Sequence, residues 1–248
     1  MGTKEPKVKV QNLTKKFGDL LVLNNLNFEV QEGEFLCIVG PTGCGKTTFL
    51  NSLTRLYEPT AGEILVNGIP VNPKKQNISY IFQEYSSFPW LTVEQNIRFG
   101  LEIKKKPKAE ADANVEEMLD IVGLTKFRNY YPSQLSISML QRVAIARAFA
   151  TKPELLLMDE PYGQLDIDLR FKLEDELIKL WQKTGTTVLF ITHNIEEAVY
   201  LSQKIMVLTN KPTSVKTVLD NPLPLPRDVV SPEFVALRNK VTDLIRWW

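Results

Sequence analysis

The feature that most restricts how this chain can fold is the octapeptide GPTGCGKT at residues 40–47. It matches the pattern G-x-x-x-x-G-K-[ST], and it lies between the apolar run Phe35–Val39 and a helical pattern over Lys46–Leu56. Glycines let backbone N–H groups converge on phosphate oxygens, and the start of a helix adds partial positive charge. The motif, called the phosphate loop below, therefore predicts a strand–loop–helix unit that binds nucleotide phosphates. The alternative is a glycine-rich turn with an exposed lysine.

The side chains expected to contact phosphate and metal lie at the end of the phosphate loop. We expect Lys46 to reach the β- and γ-phosphates and the Thr47 hydroxyl to ligate Mg²⁺. The predicted nucleotide contacts from this segment are Gly40, Pro41, Thr42, Gly43, Cys44, Gly45, Lys46, Thr47 and Thr48.

Two acids follow a second apolar strand, Leu155–Met158. Ligands of parallel sheets bind beyond the carboxyl ends of the strands. Asp159 is therefore a candidate to hold Mg²⁺ through water, and Glu160 to polarise an attacking water or accept its proton. The alternative is a core strand that ends at two surface acids.

The single histidine, His193, follows the apolar strand Val188–Ile191. Its position predicts the same edge of the sheet as Asp159, within reach of a γ-phosphate. An ordinary surface or core histidine is the alternative.

The remaining pattern alternates strands with helices, which implies a parallel sheet. Further strands are predicted at Lys7–Val10, Leu20–Val30, Gly62–Val71 (a hairpin turning at Asn67 and Gly68), Ile78–Phe82 and Thr187–Thr192. Helices are predicted at Leu91–Lys106, Ala109–Val122, Gln134–Thr151, Asp168–Lys183 and Pro232–Trp248. The segment from about 85 to 150 therefore predicts a helical lobe inserted into an α/β core.

Composition excludes several other classes of protein. Lys plus Arg number 30 and Asp plus Glu number 29, a net charge of +1 without the basic footprint of most nucleic-acid binders. The longest uncharged run is shorter than the roughly 20 apolar residues of a membrane-spanning helix, and the first ten residues lack the apolar core of a signal peptide. Two cysteines cannot by themselves form a disulfide framework or a zinc site. We therefore expect a protein of a reducing compartment.

In this order, the motifs resemble the ATP-binding-cassette family of transport ATPases over nearly the whole chain. The family's signature segment is matched by LSISM at residues 135–139, just before QRVAIARA at 141–148. The resemblance implies an α/β P-loop NTPase (RecA-like) core with an N-terminal antiparallel β subdomain and an inserted α-helical subdomain. It also implies ATP and Mg²⁺ as ligands.

The resemblance implies a role for each matching residue. Phe17 is expected to stack on adenine, and Gln83 to sense Mg²⁺ and the γ-phosphate. Asp159 becomes the Mg²⁺-site aspartate, Glu160 the catalytic glutamate and His193 the switch histidine. The segments that meet a second cassette are represented by Ser136, Ile137, Ser138 and Asp166.

Within the family, the resemblance is to importer subunits for nitrate, sulfonate and taurine. It rests on FQE (82–84), FPWLTV (88–93), PYGQLD (161–166), THNIEEA (192–198) and the proline-rich tail before Arg227 and Asp228. Phe88 and Trp90 are expected either to line a groove for a helix of the membrane subunit or to pack inside the helical lobe.

The signature departs from the family pattern, because Ile137 and Ser138 replace two glycines. If position 137 needs a left-handed backbone, Ile137 is strained, and the ATP-bound dimer and its hydrolysis are weakened. Asn194 also stands where an aspartate is common.

The resemblance implies one cassette domain over residues 1–248: a core with β subdomain at 1–84 and 150–215, a helical subdomain at 85–149, and a tail and helix at 216–248. It implies a homodimer or heterodimer at the cytoplasmic face of the membrane, with permease subunits and an extracytoplasmic solute-binding protein as partners, and no nucleic acid. Three alternatives remain: a cassette with impaired hydrolysis acting as a regulatory or structural partner, a cassette ATPase of repair or translation, and a simple P-loop kinase.

Overall fold

The fold is taken from a computed structural model, which describes residues 5–84, 86–163 and 165–245. Gln164, inside the 161–166 stretch noted above, and residues 246–248, the end of the predicted terminal helix, lie outside the described residues.

Strands and helices alternate through much of the chain. The strands are β1 (Val8–Phe17), β2 (Leu20–Val30), β3 (Phe35–Val39), β4 (Ala61–Val66), β5 (Ile69–Pro70), β6 (Ile78–Ile81), β7 (Leu155–Asp159), β8 (Thr187–Ile191), β9 (Lys204–Leu208) and β10 (Val215–Asp220). The helices are α1 (Lys46–Leu53), α2 (Val93–Ile103), α3 (Lys108–Ile121), α4 (Ile137–Ala150), α5 (Ile167–Thr184), α6 (Ile195–Leu201) and α7 (Pro232–Ile245).

The chain divides into two compact units. The first unit joins the residues up to Gln76 with those from Thr187 onward, and the second unit runs from Asn77 to Thr186. The finer subdomain boundaries expected from the sequence stay a prediction.

The first unit contains an antiparallel sheet in the order β2-β1-β4-β5 and a second set of strands in the order β10-β9-β3-β8. Strand β3 is parallel to both β8 and β9, and all five of its residues are buried. A strand that is covered on both faces tolerates an uninterrupted apolar sequence, which explains the run FLCIV. The antiparallel sheet matches the β subdomain expected near the N-terminus.

The second unit contains the parallel pair β6 and β7 and the helices α2 to α5. Helices α2, α3 and α4 pack on one another and form the helical lobe. Helix α2 begins at Val93 because Thr92 and Gln95 form a capping box, and α5 ends at Gly185, which has a left-handed backbone.

Three elements have no counterpart in the sequence-based expectations: α6, β9 and β10. Helix α6 has seven residues, which is too short to show a helical period. Strand β10 alternates between half-buried and exposed residues instead of presenting an apolar run. No helix in the described ranges is both long and apolar enough to span a membrane.

Candidate functional site

The phosphate loop leaves the end of β3 and begins α1, as the sequence predicts. Gly45 is the N-cap of α1 with a φ of 117°, a conformation that L side chains rarely adopt. A Cβ on Gly40 would lie 3.0 Å from the Cβ of Leu208 and 3.3 Å from its carbonyl oxygen. Glycine at position 40 therefore lets the loop pass close to the end of β9.

Lys46 folds back onto its own loop. Its Nζ donates hydrogen bonds to the carbonyl oxygens of Gly40 at 3.0 Å and Pro41 at 3.2 Å, and the residue is 5% exposed. Thr47 is exposed at the start of α1. The ammonium is thus held at the loop before any phosphate arrives.

Cys44 is buried within the loop. Burial raises the pKa of its thiol, although the nearby Lys46 ammonium acts in the opposite direction. Burial thus disfavours the reactive thiolate form of Cys44.

His193 follows strand β8. This strand is the neighbour of β3, which leads into the phosphate loop. Strand β8 pairs in parallel with β3 so that Ile191 is opposite Ile38, and the Thr192 N–H donates to the Ile38 carbonyl oxygen at 3.2 Å. The exposed His193 and the phosphate loop therefore both follow the carboxyl ends of neighbouring parallel strands.

The asparagine that replaces the common aspartate has a clear structural use. The Asn194 side-chain oxygen accepts hydrogen bonds from the N–H groups of Glu196 at 2.9 Å and Glu197 at 3.3 Å and so caps α6. Capping needs only an acceptor oxygen, which either side chain supplies.

Phe17 ends β1 and is 42% exposed. Its ring meets the Tyr57 ring edge-on at a centroid distance of 5.2 Å, and the Lys15 ammonium lies 4.8 Å from its centroid. An exposed aromatic ring beside a second aromatic suits stacking on a base. Nothing in the local sequence links Tyr57 to Phe17, so the sequence analysis missed this neighbour.

In the second unit, Asp159 ends β7 and is buried. The Tyr80 hydroxyl on β6 donates to Asp159 Oδ2 at 3.2 Å. Burial first, and then the neighbouring carboxylate, raise the pKa of Tyr80 above its usual range, so the hydroxyl stays protonated and donates. Tyr80 was not identified from the sequence, because it lies inside an ordinary strand pattern.

Gln83 and Glu160 occupy equivalent positions at the ends of two paired strands. Ile81 on β6 is opposite Met158 on β7, so each of the two polar residues lies two positions beyond this pair. Gln83 is exposed and Glu160 is half-buried. The structure thus places them at one edge of the β6–β7 pair.

Glu160 adopts a left-handed backbone with a φ of 45°. This conformation is uncommon for residues other than glycine, asparagine and aspartate. Such backbone strain concentrates at functional positions, where the surroundings hold it in place.

The signature segment forms the start of α4. Ser136 is the N-cap, its Oγ accepts a hydrogen bond from the Met139 N–H at 3.4 Å, and it lies 3.0 Å from Ser138 Oγ. Ile137 is the first helical residue and is not among the described residues with positive φ. The expectation that Ile137 strains the backbone is therefore wrong, because a helix start requires an ordinary right-handed conformation. The side chain itself is 52% exposed.

Asp166 caps the start of α5 as Ser136 caps the start of α4. It is the N-cap, and its carboxylate accepts a hydrogen bond from the Leu169 N–H at 2.9 Å.

The two aromatic residues of the FPWLTV stretch differ in their surroundings. The Phe88 ring packs on Phe99 at a centroid distance of 4.4 Å, with the Arg147 guanidinium 5.0 Å from its centroid. Trp90 is 69% exposed. Phe88 thus belongs to the packing of the lobe, and Trp90, whose ring centroid lies 5.6 Å from that of Phe88, leaves most of its surface exposed.

Arg147 also fixes the segment that follows Gln83. Its guanidinium donates to the Ser86 carbonyl oxygen at 2.8 Å and to Ser86 Oγ at 2.7 Å, and burial lowers its pKa. The sequence showed Arg147 only as part of the conspicuous 141–148 run.

The predicted Mg²⁺ ligands are all oxygen donors: the Thr47 hydroxyl, the Gln83 amide oxygen and the Asp159 carboxylate. Hard oxygen donors are the ligands that Mg²⁺ prefers, together with phosphate and water. Among the described residues, no group of three or more His, Cys, Asp or Glu side chains is arranged to hold a metal. Three oxygen donors from the protein would leave the other coordination positions of Mg²⁺ to phosphate and water.

Comparisons with known proteins extend over most of the chain. A family model described as "ABC transporter" matches residues 23–163. An uncharacterised ABC transporter ATP-binding protein of Methanocaldococcus jannaschii is 45% identical over 244 residues, which are 97% of this chain and 91% of that protein. An aliphatic sulfonates import ATP-binding protein of Bacillus cereus is 41% identical over 228 residues, 92% of this chain and 90% of that protein.

Among solved structures, a dimeric ATP-binding cassette in a post-hydrolysis state, bound to ADP and Pi, superposes with a TM-score of 0.75. It is 34% identical, and the match covers 86% of this chain and 98% of that one.

Proposed function

The chain belongs to the ABC transporter family of ATPases, and we propose that it is the ATP-hydrolysing subunit of an importer for a solute of the nitrate, sulfonate or taurine type. The observation that carries this proposal is the 41% identity to a sulfonate importer's ATP-binding protein over 92% of the chain. A relationship of that extent covers the phosphate loop, both strand-end acids and the helical lobe. ATP is the nucleotide, as in the family as a whole.

We propose that binding begins at the phosphate loop and Phe17. The adenine stacks on the exposed face of the Phe17 ring, and the loop N–H groups receive the phosphates. Lys46 then exchanges the Gly40 and Pro41 carbonyl oxygens for phosphate oxygens. A charged acceptor makes the stronger hydrogen bond, so this exchange favours the nucleotide-bound loop.

Mg²⁺ would be held by Thr47, Gln83 and Asp159 together with the phosphates. When bound, it supplies charge neutralisation on the β- and γ-phosphate oxygens. The Tyr80 hydroxyl fixes one oxygen of the Asp159 carboxylate, which orients the other for a ligand or a bound water.

Glu160 is proposed as the group that polarises the attacking water, and His193 as a contact to the γ-phosphate. Both lie at carboxyl ends of parallel strands, the position where ligands of such sheets bind. Glu160 is half-buried, so it is open to a water molecule.

Two cassettes, identical or different, are proposed to enclose two ATP molecules. Each would present Ser136, Ile137, Ser138 and Asp166 to the nucleotide bound by the other. The starts of α4 and α5 offer N–H groups and partial positive charge for this purpose. The dimeric arrangement of a 34% identical cassette supports the proposal.

The remaining partners follow from the importer proposal. The pair of cassettes would lie at the cytoplasmic face of the membrane, bound to integral permease subunits, with an extracytoplasmic solute-binding protein delivering the cargo. The proposed domain layout is the single cassette described above, with the helical subdomain at 85–149 as the part that contacts the permease.

A cassette with impaired hydrolysis is the second candidate function. It is favoured only by the exposed Ile137 side chain at the signature. Its other basis, a strained backbone at that position, is removed by the helical conformation of Ile137.

The proposal is tested in two stages. Purified protein should release phosphate from Mg·ATP, and Lys46→Ala should lose ATP binding in calorimetry, since it removes the ammonium that the loop holds in place. The permease that co-purifies with the chain is then reconstituted in proteoliposomes, and ATP-dependent uptake of a labelled sulfonate is measured. Absence of phosphate release would overturn the ATPase assignment, whereas uptake of a different solute would overturn only the cargo.

A further inference from the structure

The loop between β9 and β10, residues 209–214, is attached to the phosphate loop through one side chain. The Thr213 hydroxyl donates a hydrogen bond to the carbonyl oxygen of Cys44, and both residues are buried. Cys44 immediately precedes Gly45, the N-cap of the helix that carries Lys46 and Thr47. The bond therefore acts on the backbone at the point where the loop turns into α1.

Thr213 is itself held firmly by its main chain. Its N–H donates to the Val22 carbonyl oxygen at 2.8 Å, and its carbonyl oxygen accepts from the Asn24 N–H at 2.8 Å. Leu23 forms an isolated parallel bridge with it. With both backbone groups bonded to β2, the hydroxyl is presented from a fixed position.

Strand β2 also restricts the space beside the phosphate loop at Gly45. A Cβ on Gly45 would lie 2.9 Å from Val22 Cγ1 and 3.2 Å from Leu23 Cδ2, so β2 packs directly against the loop backbone. Thr213 and β2 are therefore bonded to each other, and both contact the loop backbone at Cys44 and Gly45.

A cavity of about 370 Å³ adjoins this contact. Its lining includes Pro41 of the phosphate loop and Lys211 and Pro212, which precede Thr213. The hydrogen bond from Thr213 therefore joins the two loops beside an open space.

We propose that Thr213 is a positioning residue of the phosphate loop: its hydroxyl holds the Cys44 carbonyl group so that the following N–H groups converge on the nucleotide phosphates. The inference rests on the proposed function, because it assumes that residues 40–47 bind ATP. Thr213 is fully buried and acts through the backbone of the loop. Its loss should therefore affect ATP affinity more than the chemical step.

The experiment compares variants that differ in one hydroxyl. Thr213→Val keeps the shape and removes the donor, and Thr213→Ser keeps the donor. Thr217→Val makes the same chemical change on β10, away from the phosphate loop. ATP affinity is measured by calorimetry and steady-state hydrolysis by phosphate release.

Thr213→Val should raise the Kd and KM for ATP about 3- to 10-fold, the range expected for one net hydrogen bond, and change kcat less than about 2-fold. Thr213→Ser and Thr217→Val should bind ATP like the parent. Equal affinity of Thr213→Val and the parent, or equal weakening by Thr213→Ser and Thr213→Val, overturns the proposal. If the parent itself binds no ATP, the proposed function fails instead.

A second readout follows the loop without nucleotide. A thiol reagent is applied to native protein, and tandem mass spectrometry assigns the label to Cys44 or to Cys37, which is buried in β3 and serves as the internal reference. Thr213→Val should speed labelling of Cys44 relative to Cys37, and Thr213→Ser should not. An unchanged ratio in Thr213→Val contradicts the proposal.

Thr213→Ala is the second hydroxyl-free variant, in case Thr213→Val does not fold. If both hydroxyl-free variants fail to fold while Thr213→Ser folds, the residue stabilises the fold as a whole and the positioning proposal is wrong.

Discussion

Two adjacent carboxylates, Asp159 and Glu160, have very different surroundings. Asp159 is buried, ends β7 and is bonded to Tyr80, whereas Glu160 is half-buried and has a left-handed backbone. An ordinary residue in that conformation carries a cost of about 1–2 kcal/mol. These different surroundings are consistent with the different roles that we propose for the two carboxylates, with Asp159 holding a cation and Glu160 polarising water.

Glu160→Gln separates the chemical step from binding. The amide keeps the size of the side chain but cannot accept a proton, so turnover should fall about 10²- to 10⁴-fold. ATP affinity should remain, and ATP-bound dimers should accumulate in gel filtration. Glu102→Gln, the same change at an exposed position of α2, is the matched control. Parental turnover by Glu160→Gln would refute its role.

Residues whose partners are close in sequence could be predicted, and residues with remote partners could not. The phosphate loop and the acids after β7 are readable because their neighbours in the chain define their setting. The bond from Tyr80 to Asp159 spans 79 residues, and the bond from Thr213 to Cys44 spans 169. Such pairs depend on how strands are ordered in the sheet, which no local pattern specifies.

At the scale of the helices, the segments proposed to meet a second cassette are helix starts. Ser136 caps α4 and Asp166 caps α5, so each segment presents the N–H groups of a first turn. The sequence analysis considered a left-handed backbone at position 137, which would strain Ile137. That condition is not met, because Ile137 is the first helical residue after the Ser136 N-cap.

Ile137 can still obstruct a partner cassette with its exposed side chain. We expect Ile137→Gly to raise ATP-dependent dimerisation and hydrolysis severalfold through loss of bulk. Ser138→Gly should not raise them, since it removes the hydroxyl that lies 3.0 Å from Ser136 Oγ. Ile167→Gly, at the first position of α5, measures the cost of glycine at a helix start, about 1 kcal/mol or less, in thermal unfolding.

The measurements are phosphate release and ultracentrifugation with ATP. If Ile137→Gly brings no gain, the side chain is accommodated at the interface, and the candidate with impaired hydrolysis loses its remaining basis.

For the whole molecule, we propose that the surface that contacts the permease includes Trp90. The sequence left open whether Phe88 and Trp90 act together or pack inside the lobe. The two rings lie close together, with centroids 5.6 Å apart, but Phe88 also contacts Phe99 and Arg147 whereas Trp90 is mostly exposed.

Trp90→Ala should therefore weaken binding to the co-purifying permease at least tenfold, as expected for an aromatic anchor, and leave stability and ATP affinity unchanged. Phe88→Ala should instead lower the free energy of unfolding by about 1–3 kcal/mol, since it leaves a gap beside Phe99. Immobilised permease and urea denaturation measure the two effects. Full permease binding by Trp90→Ala would exclude this surface as the contact.

The strand order of the first unit also determines how long β3 remains without its partner strands during synthesis. Strand β3 ends at Val39, but its two neighbours, β8 and β9, begin at Thr187 and Lys204. At about 10 residues per second, a ribosome needs about 15 s to pass from residue 39 to residue 187. During that interval the wholly apolar FLCIV segment has neither of its strand partners. We therefore expect this segment to stay unpaired until the last quarter of the chain emerges, and slower elongation beyond residue 39 should increase aggregation.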